Sequence, residues 1–172
     1  MPLTPHPIAV MQATTPAQIE AVRVLLREYR KWIATTLGEQ HACHTSFDHE
    51  IANADAIYGP PRGFLLLAIG AGGTPVGCIA VHEIAGNRAE IKRLWVRPET
   101  RGLHAGAALL DAALQHASQL GYAEAVLDTV PEAMPHALAL YRSRGFTETS
   151  RFNDNPVDGV NFYRLKFSQG TP

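Results

Sequence analysis

Residues 89–114 read AEIKRLWVRPETRGLHAGAALLDAAL, and this stretch decides the fold. Arg88 to Val96 has the length and the β-branched and aromatic content of a strand. A polar loop, RPETRG, follows, and a helix is expected from about His104 to Leu120, with Leu110, Leu114 and Ala117 on its apolar face and Gly121 as its stop. A strand that runs through a short loop into a helix start builds an anion site. The first backbone N–H groups of a helix have no internal partner, and the helix dipole favours negative charge there. Gly102 and Gly106 let a ligand come close to the backbone, and Arg101 adds a fixed positive fork. A pyrophosphate is the expected guest.

Ile8 to Ala13 reads as a short strand. A helix then starts at a marked point: Thr15 can cap it, Pro16 suits its first turn, and Gln18 stands where a capping box needs it. Ile19, Val22, Leu26, Tyr29 and Ile33 recur at spacings of three and four, and Gly38 ends the helix. A short helix is expected from Asp48 to Ala56. Strands follow at 64–69, 75–81 and 88–96, and after the central helix come a strand at 124–129, a helix from about Glu132 to Arg144, and strands at 146–152 and 159–167. Consecutive strands in the middle predict an antiparallel meander, and strand–helix–strand order around His104 predicts one parallel crossover. The fold class is α/β of the α+β type: a mixed, mostly antiparallel central sheet flanked by helices, in a single domain spanning 1–172.

The composition narrows the partners. The chain has 172 residues, 15 Lys+Arg against 16 Asp+Glu, and a formal net charge of -1, so no basic field invites nucleic acid. No stretch approaches the ~20 apolar residues of a membrane helix, and the start of the chain lacks the basic-then-apolar pattern of a signal peptide. Two cysteines, Cys43 and Cys78, make no disulfide framework and suit a cytoplasmic compartment. His41, Cys43, His44 and His49 fit no common zinc spacing, so no metal is expected. There is no P-loop and no G-x-G-x-x-G pattern, and the Gly-rich run 70–75 lies between two strands as a turn.

The segment around Arg101 resembles the coenzyme A signature of the GCN5-related N-acetyltransferase (GNAT) family, Arg/Gln-x-x-Gly-x-Gly/Ala. Arg101 and Gly106 match it, while His104 stands where the first glycine is usual. Ala89-Glu90-Ile91 followed by Leu94, Val96, Arg97 and Pro98 resembles the family's fourth strand, and residues 140–146, LYRSRGF, resemble its Leu-Tyr-x-x-x-Gly-Phe signature. The resemblance is strong over 64–167 and weak over 14–62, where such enzymes build their acceptor site.

The resemblance implies an acetyl-CoA-dependent N-acetyltransferase acting by direct attack on the thioester, with no metal. The pantetheine arm would lie along Leu94, Trp95 and Val96, and the phosphates would rest on Arg101, Gly102, Leu103, His104, Ala105, Gly106 and Ala107. A helical His104 would still supply its N–H. Glu90 is the expected base and Tyr141 the expected acid, because the acceptor must lose a proton and the thiolate must gain one. The plainer readings are a strand glutamate paired with a cation and a tyrosine packed in the core. Many relatives carry Asn seven residues before this Tyr, where this chain has Met134. Trp95 is expected to face away from Leu94 and to pack under a helix, and the turn Asn153, Asn155, Asp158 lies where it could touch the acceptor. The acceptor would be a small-molecule or peptide amine, and the family commonly forms homodimers. The alternatives are a catalytically silent acyl-CoA-binding regulatory module, distinguished by tight binding without transfer, and a nucleotide-binding domain, distinguished by competition with ATP or NAD.

Overall fold

The computed structural model describes residues 8–42 and 45–168. Strand β1 (Ala9–Gln12) leads to helix α1 (Pro16–Leu37), which opens on a complete capping box: the Thr15 hydroxyl accepts from the Gln18 N–H and the Gln18 side chain accepts from the Thr15 N–H. Short helices α2 (Glu39–Ala42), α3 (Thr45–Ala52) and α4 (Ala54–Ile57) follow. Strands β2 (Phe64–Ile69), β3 (Pro75–Ile84) and β4 (Arg88–Val96) form the meander, and helix α5 (Ala105–Gln119) crosses over to β5 (Glu124–Thr129). Helix α6 (Pro135–Ser143) and strands β6 (Thr147–Thr149) and β7 (Asn161–Lys166) complete the chain.

The seven strands form one sheet in the order β1-β2-β3-β4-β5-β7-β6. Every junction is antiparallel except β4–β5, which is parallel as the crossover requires. Both faces of the sheet are covered. Leu65, Leu67, Cys78, Ala80 and Trp95 pack against α1 and α3, while Leu66, Ile79, Val81 and Leu127 pack with Leu109, Leu110 and Ala113 of α5. Burial on both faces explains the unbroken apolar run of β2, FLLLAI, where alternation would have meant one wet face. Each fully buried Leu there contributes roughly 1.5–3 kcal/mol.

Two irregularities of β4 shape the site. Opposite β3, Cys78 pairs with Trp95 and Ala80 with Lys92, so two steps of β3 face three of β4. The extra residue is absorbed as a bulge at Arg93, which takes a left-handed φ of 60°. Toward β5, pairing is limited to Arg88↔Glu124, Ala89↔Ala125 and Glu90↔Val126. Beyond Glu90 the two strands run on, to Val96 and Thr129, without pairing. A notch opens between them.

Several boundaries differ from the sequence expectation for local reasons. The helix expected over 48–56 is two short helices, interrupted at Asn53 with φ −115°. Strand β3 runs to Ile84, because β4 keeps pairing with it as far as Arg88. Helix α6 starts at Pro135 and not near Glu132, since residues 130–134 form a turn in which Ala133 and Met134 both donate to the Val130 carbonyl. The strand expected over 146–152 is only three residues long. After Thr149 the chain leaves the sheet, and Phe152 folds edge-on against Phe162, ring centroids 5.2 Å apart. His104 is not helical: it precedes the first turn of α5, with φ 61° and ψ 19°.

Candidate active site

A cavity of about 400 Å³ lies where the notch meets α1, α6 and the β6–β7 loop. Glu90, Leu94, Asp128, Tyr141 and Asn153 all line it, although they are spread over 64 residues of sequence. Glu90 and Tyr141 are therefore brought to one space. Leu94 and Val96 pack toward the α5 side of the sheet. The Trp95 side chain is turned to the other side, beneath α1, with ring centroids 5.3 Å from Tyr29 and 5.7 Å from Trp32.

Glu90 is 6 % exposed and held at both oxygens. Its Oε2 is 2.5 Å from His82 Nε2, and its Oε1 accepts from Asn153 Nδ2 at 3.1 Å. Burial raises its pKa, but the His82 hydrogen bond, the Lys92 charge and the Asn153 amide outweigh burial and hold the carboxyl below its ordinary range. Glu90 is thus ionised at neutral pH. Because an ionised carboxylate only accepts, His82 donates from Nε2.

Tyr141, on α6, is 7 % exposed and meets Phe146 edge-on at 5.9 Å. Burial, and then the neighbouring Tyr29 and Asp128, push its pKa well above that of free tyrosine. It keeps its proton through neutral pH.

The β6–β7 loop, expected as a turn near the acceptor, supplies Asn153 to the cavity. Asn153 Oδ1 accepts the N–H of Asn155 at 3.1 Å, which turns the amide nitrogen into the cavity. Its two hydrogens then serve two carboxylates, Glu90 at 3.1 Å and Asp128 at 2.7 Å. Arg151 fastens the loop by donating to the carbonyls of Asn153 and Asn155. Asp158 is not among the residues that line the cavity. A sequence signal that could have found Asp128 is its place near the C-terminal end of a strand that enters a parallel pair, where open sheets bind ligands.

Beneath the bulge lies a buried ion pair. Arg93 donates to Glu50 at 2.7 and 2.6 Å, its guanidinium lies 3.9 Å over the Phe47 ring, and the Tyr58 hydroxyl also donates to Glu50. Burial opposes the charge on Glu50, yet Arg93 and Tyr58 hold its pKa below the usual range. The pair fixes the residue that bends β4 toward the cavity.

At the mouth of the notch, the start of α5 presents free donors. Ala108 is the first residue to bond back, to the His104 carbonyl, and the N–H groups of His104, Ala105, Gly106 and Ala107 have no partner among the described residues. His104 takes the left-handed conformation a glycine adopts freely, so the turn keeps its shape without that glycine. A Cβ on Gly106 would meet only Leu140 and Val96, each at 3.8 Å, so the chain's own packing does not demand glycine there. Open space over four free donors fits a diphosphate. Arg101, three residues before His104, has its guanidinium 5.5 Å over the Trp95 ring. At the seventh residue before Tyr141, Met134 receives the Thr129 hydroxyl at 3.8 Å and so occupies its place inside the chain.

Of the histidines and cysteine weighed for a metal, Cys43 and His44 lie outside the described residues, His41 lines the cavity and His49 is exposed. Among the described residues no group of three His, Cys, Asp or Glu side chains is placed to hold a metal ion, and no helix is long and apolar enough to cross a membrane.

The model of the acetyltransferase (GNAT) family matches residues 20–146. A relative described as an uncharacterized N-acetyltransferase of Schizosaccharomyces pombe is 37% identical over 168 residues, 97% of this chain and 99% of its own length. Among solved structures, a GNAT-family acetyltransferase of Staphylococcus aureus superimposes with a TM-score of 0.73 at 20% identity, covering 92% of this chain and 98% of that one. A phosphinothricin acetyltransferase of Sinorhizobium meliloti, solved in complex with AcCoA, gives 0.73 at 18% identity, covering 95% of this chain and 90% of that one. At such identities these structures speak for the fold. With a family model over most of its length and a relative that matches it nearly from end to end, the chain belongs to the GNAT acetyltransferase family.

Proposed function

We propose that this protein is an N-acetyltransferase that moves the acetyl group of acetyl-CoA to a primary amine of a small molecule or peptide, by direct attack on the thioester. The observation that carries the reading is the unpaired stretch of β4 and β5, which ends at a helix start with four free N–H groups. A diphosphate held by His104, Ala105, Gly106 and Ala107, with Arg101 beside it, would direct the pantetheine arm into the notch. The arm would then hydrogen-bond backbone groups at Leu94, Trp95 and Val96, in the place of the missing strand partner. Gly102 and Leu103 complete the turn that carries the donors.

An acceptor arriving as an ammonium has no lone pair, so it must first lose a proton. Glu90, ionised and lining the cavity, receives it directly or through one water. A backbone N–H of β4 facing the thioester carbonyl would support the oxyanion as the amine adds. Tyr141, which burial keeps protonated, supplies a proton to the departing thiolate. The chemistry asks for no metal. Two cysteines that make no disulfide framework support a cytoplasmic setting for this enzyme.

A screen of amines with acetyl-CoA, read by thiol release, tests this. Glu90→Gln is expected to lower turnover by about 10²–10⁴-fold while acetyl-CoA affinity by calorimetry changes little. Tight acetyl-CoA binding with no transfer to any amine would instead make the chain a silent acyl-CoA-binding module.

A further inference from the structure

Asp128 stands out among the cavity's charged groups. Glu90 has both oxygens engaged, and Arg93 is taken up by Glu50. Asp128 accepts one bond, from Asn153 to Oδ2, and its other oxygen has no partner among the described residues. No Lys, Arg or His nitrogen among those residues lies within ion-pairing distance of it. Yet it is partly buried at the end of β5, with Tyr29 and Tyr141 near enough to feel its charge. A half-buried carboxylate without a cation is costly unless a ligand supplies one.

We propose that Asp128 binds the acceptor amine as its ammonium, and that the acceptor is a primary alkylamine with an apolar body. The inference rests on the acetyl-transfer reading above. Asn153 bonds Asp128 and Glu90 through a single amide nitrogen, so an ammonium held on the free Asp128 oxygen sits beside the group that removes its proton. Asp128 keeps the cation in place, and Glu90 takes one N–H proton from it to leave the neutral amine. Facing Asp128 are Lys92 and Arg93 of β4, Asp154 of the β6–β7 loop, Tyr29 of α1 and Tyr141 of α6. Ile33, Leu37 and Phe47 form the apolar wall along which the rest of the acceptor would lie.

The test uses the full chain with acetyl-CoA and two probe acceptors at neutral pH: phenethylamine, a cation, and para-anisidine, a neutral arylamine. Asp128→Asn is expected to raise KM for phenethylamine at least about tenfold more than for para-anisidine, the loss of one charge-assisted contact. Acetyl-CoA binding by calorimetry reports that the variant is folded. In the native chain, N,N-dimethylphenethylamine, which keeps the charge, is expected to compete with phenethylamine at least about tenfold better than phenethyl alcohol. This second measurement needs no variant. Equal effects on the two amines, or equal competition by amine and alcohol, would overturn the inference while leaving acetyl transfer standing. No thiol release with either amine would also overturn the inference, and only silence across the whole amine screen would overturn acetyl transfer with it.

Discussion

Replacing Glu50 by Gln isolates the charge beneath the bulge. The amide keeps the size of the side chain and can still accept from Tyr58, but it leaves the Arg93 guanidinium without an anion. Glu50 is 8 % exposed and the Arg93 side chain 20 % exposed, so the pair is nearly but not wholly dry. Breaking a buried pair on one side costs about 3–5 kcal/mol, and the remaining solvent contact favours the lower end. With a urea m value of about 2 kcal/mol per M, a loss of about 3 kcal/mol moves the unfolding midpoint down by about 1.5 M. The pH dependence gives an internal check. The folded pKa of Glu50 is depressed from 4.5, so the stability it contributes is present above that pH and disappears as pH falls through the folded value. The difference between native chain and variant should be full at neutral pH and shrink below about pH 4.5. A Glu50→Leu, Arg93→Met pair should lose less than either single change, since no orphaned charge remains. Urea titrations followed by circular dichroism decide the matter. A neutral-pH loss under about 1 kcal/mol at unchanged m, or a gap independent of pH, would refute the argument.

Tyr141→Phe keeps the ring against Phe146 and should lower kcat with little change in acetyl-CoA affinity; equal rates in stopped-flow thiol release would make the tyrosine purely structural. Gly106→Ala should favour the fold and spare the ligand. The helix gains up to about 1 kcal/mol in propensity and the new methyl meets only ordinary contacts, so the melting temperature is maintained or raised. Calorimetry should show acetyl-CoA binding little changed, because the methyl points to Leu140 and Val96 and the family signature accepts Ala at this place.

What was legible in the sequence was local. Thr15, Pro16 and Gln18 announce the start of α1 within four residues, and β2, β4 and β5 appear with the bounds their apolar runs suggest. The Arg101 to Gly106 turn could be read because helix starts have the same unpaired donors in any protein. The bulge at Arg93 could not, because it exists only relative to the residue count of β3 across from it. The Asn153 amide links groups 63 and 25 residues away, and nothing near a polar turn tells whether it will fold over a sheet or into solvent. Even His104 hid its role, since left-handed geometry leaves little mark on a residue that is not glycine.

The single parallel junction makes the sheet two antiparallel ribbons joined by a three-residue seam. Such a seam holds the ribbons together by few strand-to-strand bonds, and the cosubstrate would enter along it. A pantetheine arm there would act as a splint, tying the two ribbons together over the length where strand-to-strand bonds are missing. Recognition and rigidity would then rise together, and amide exchange at Leu94, Trp95 and Val96 would slow in step with occupancy.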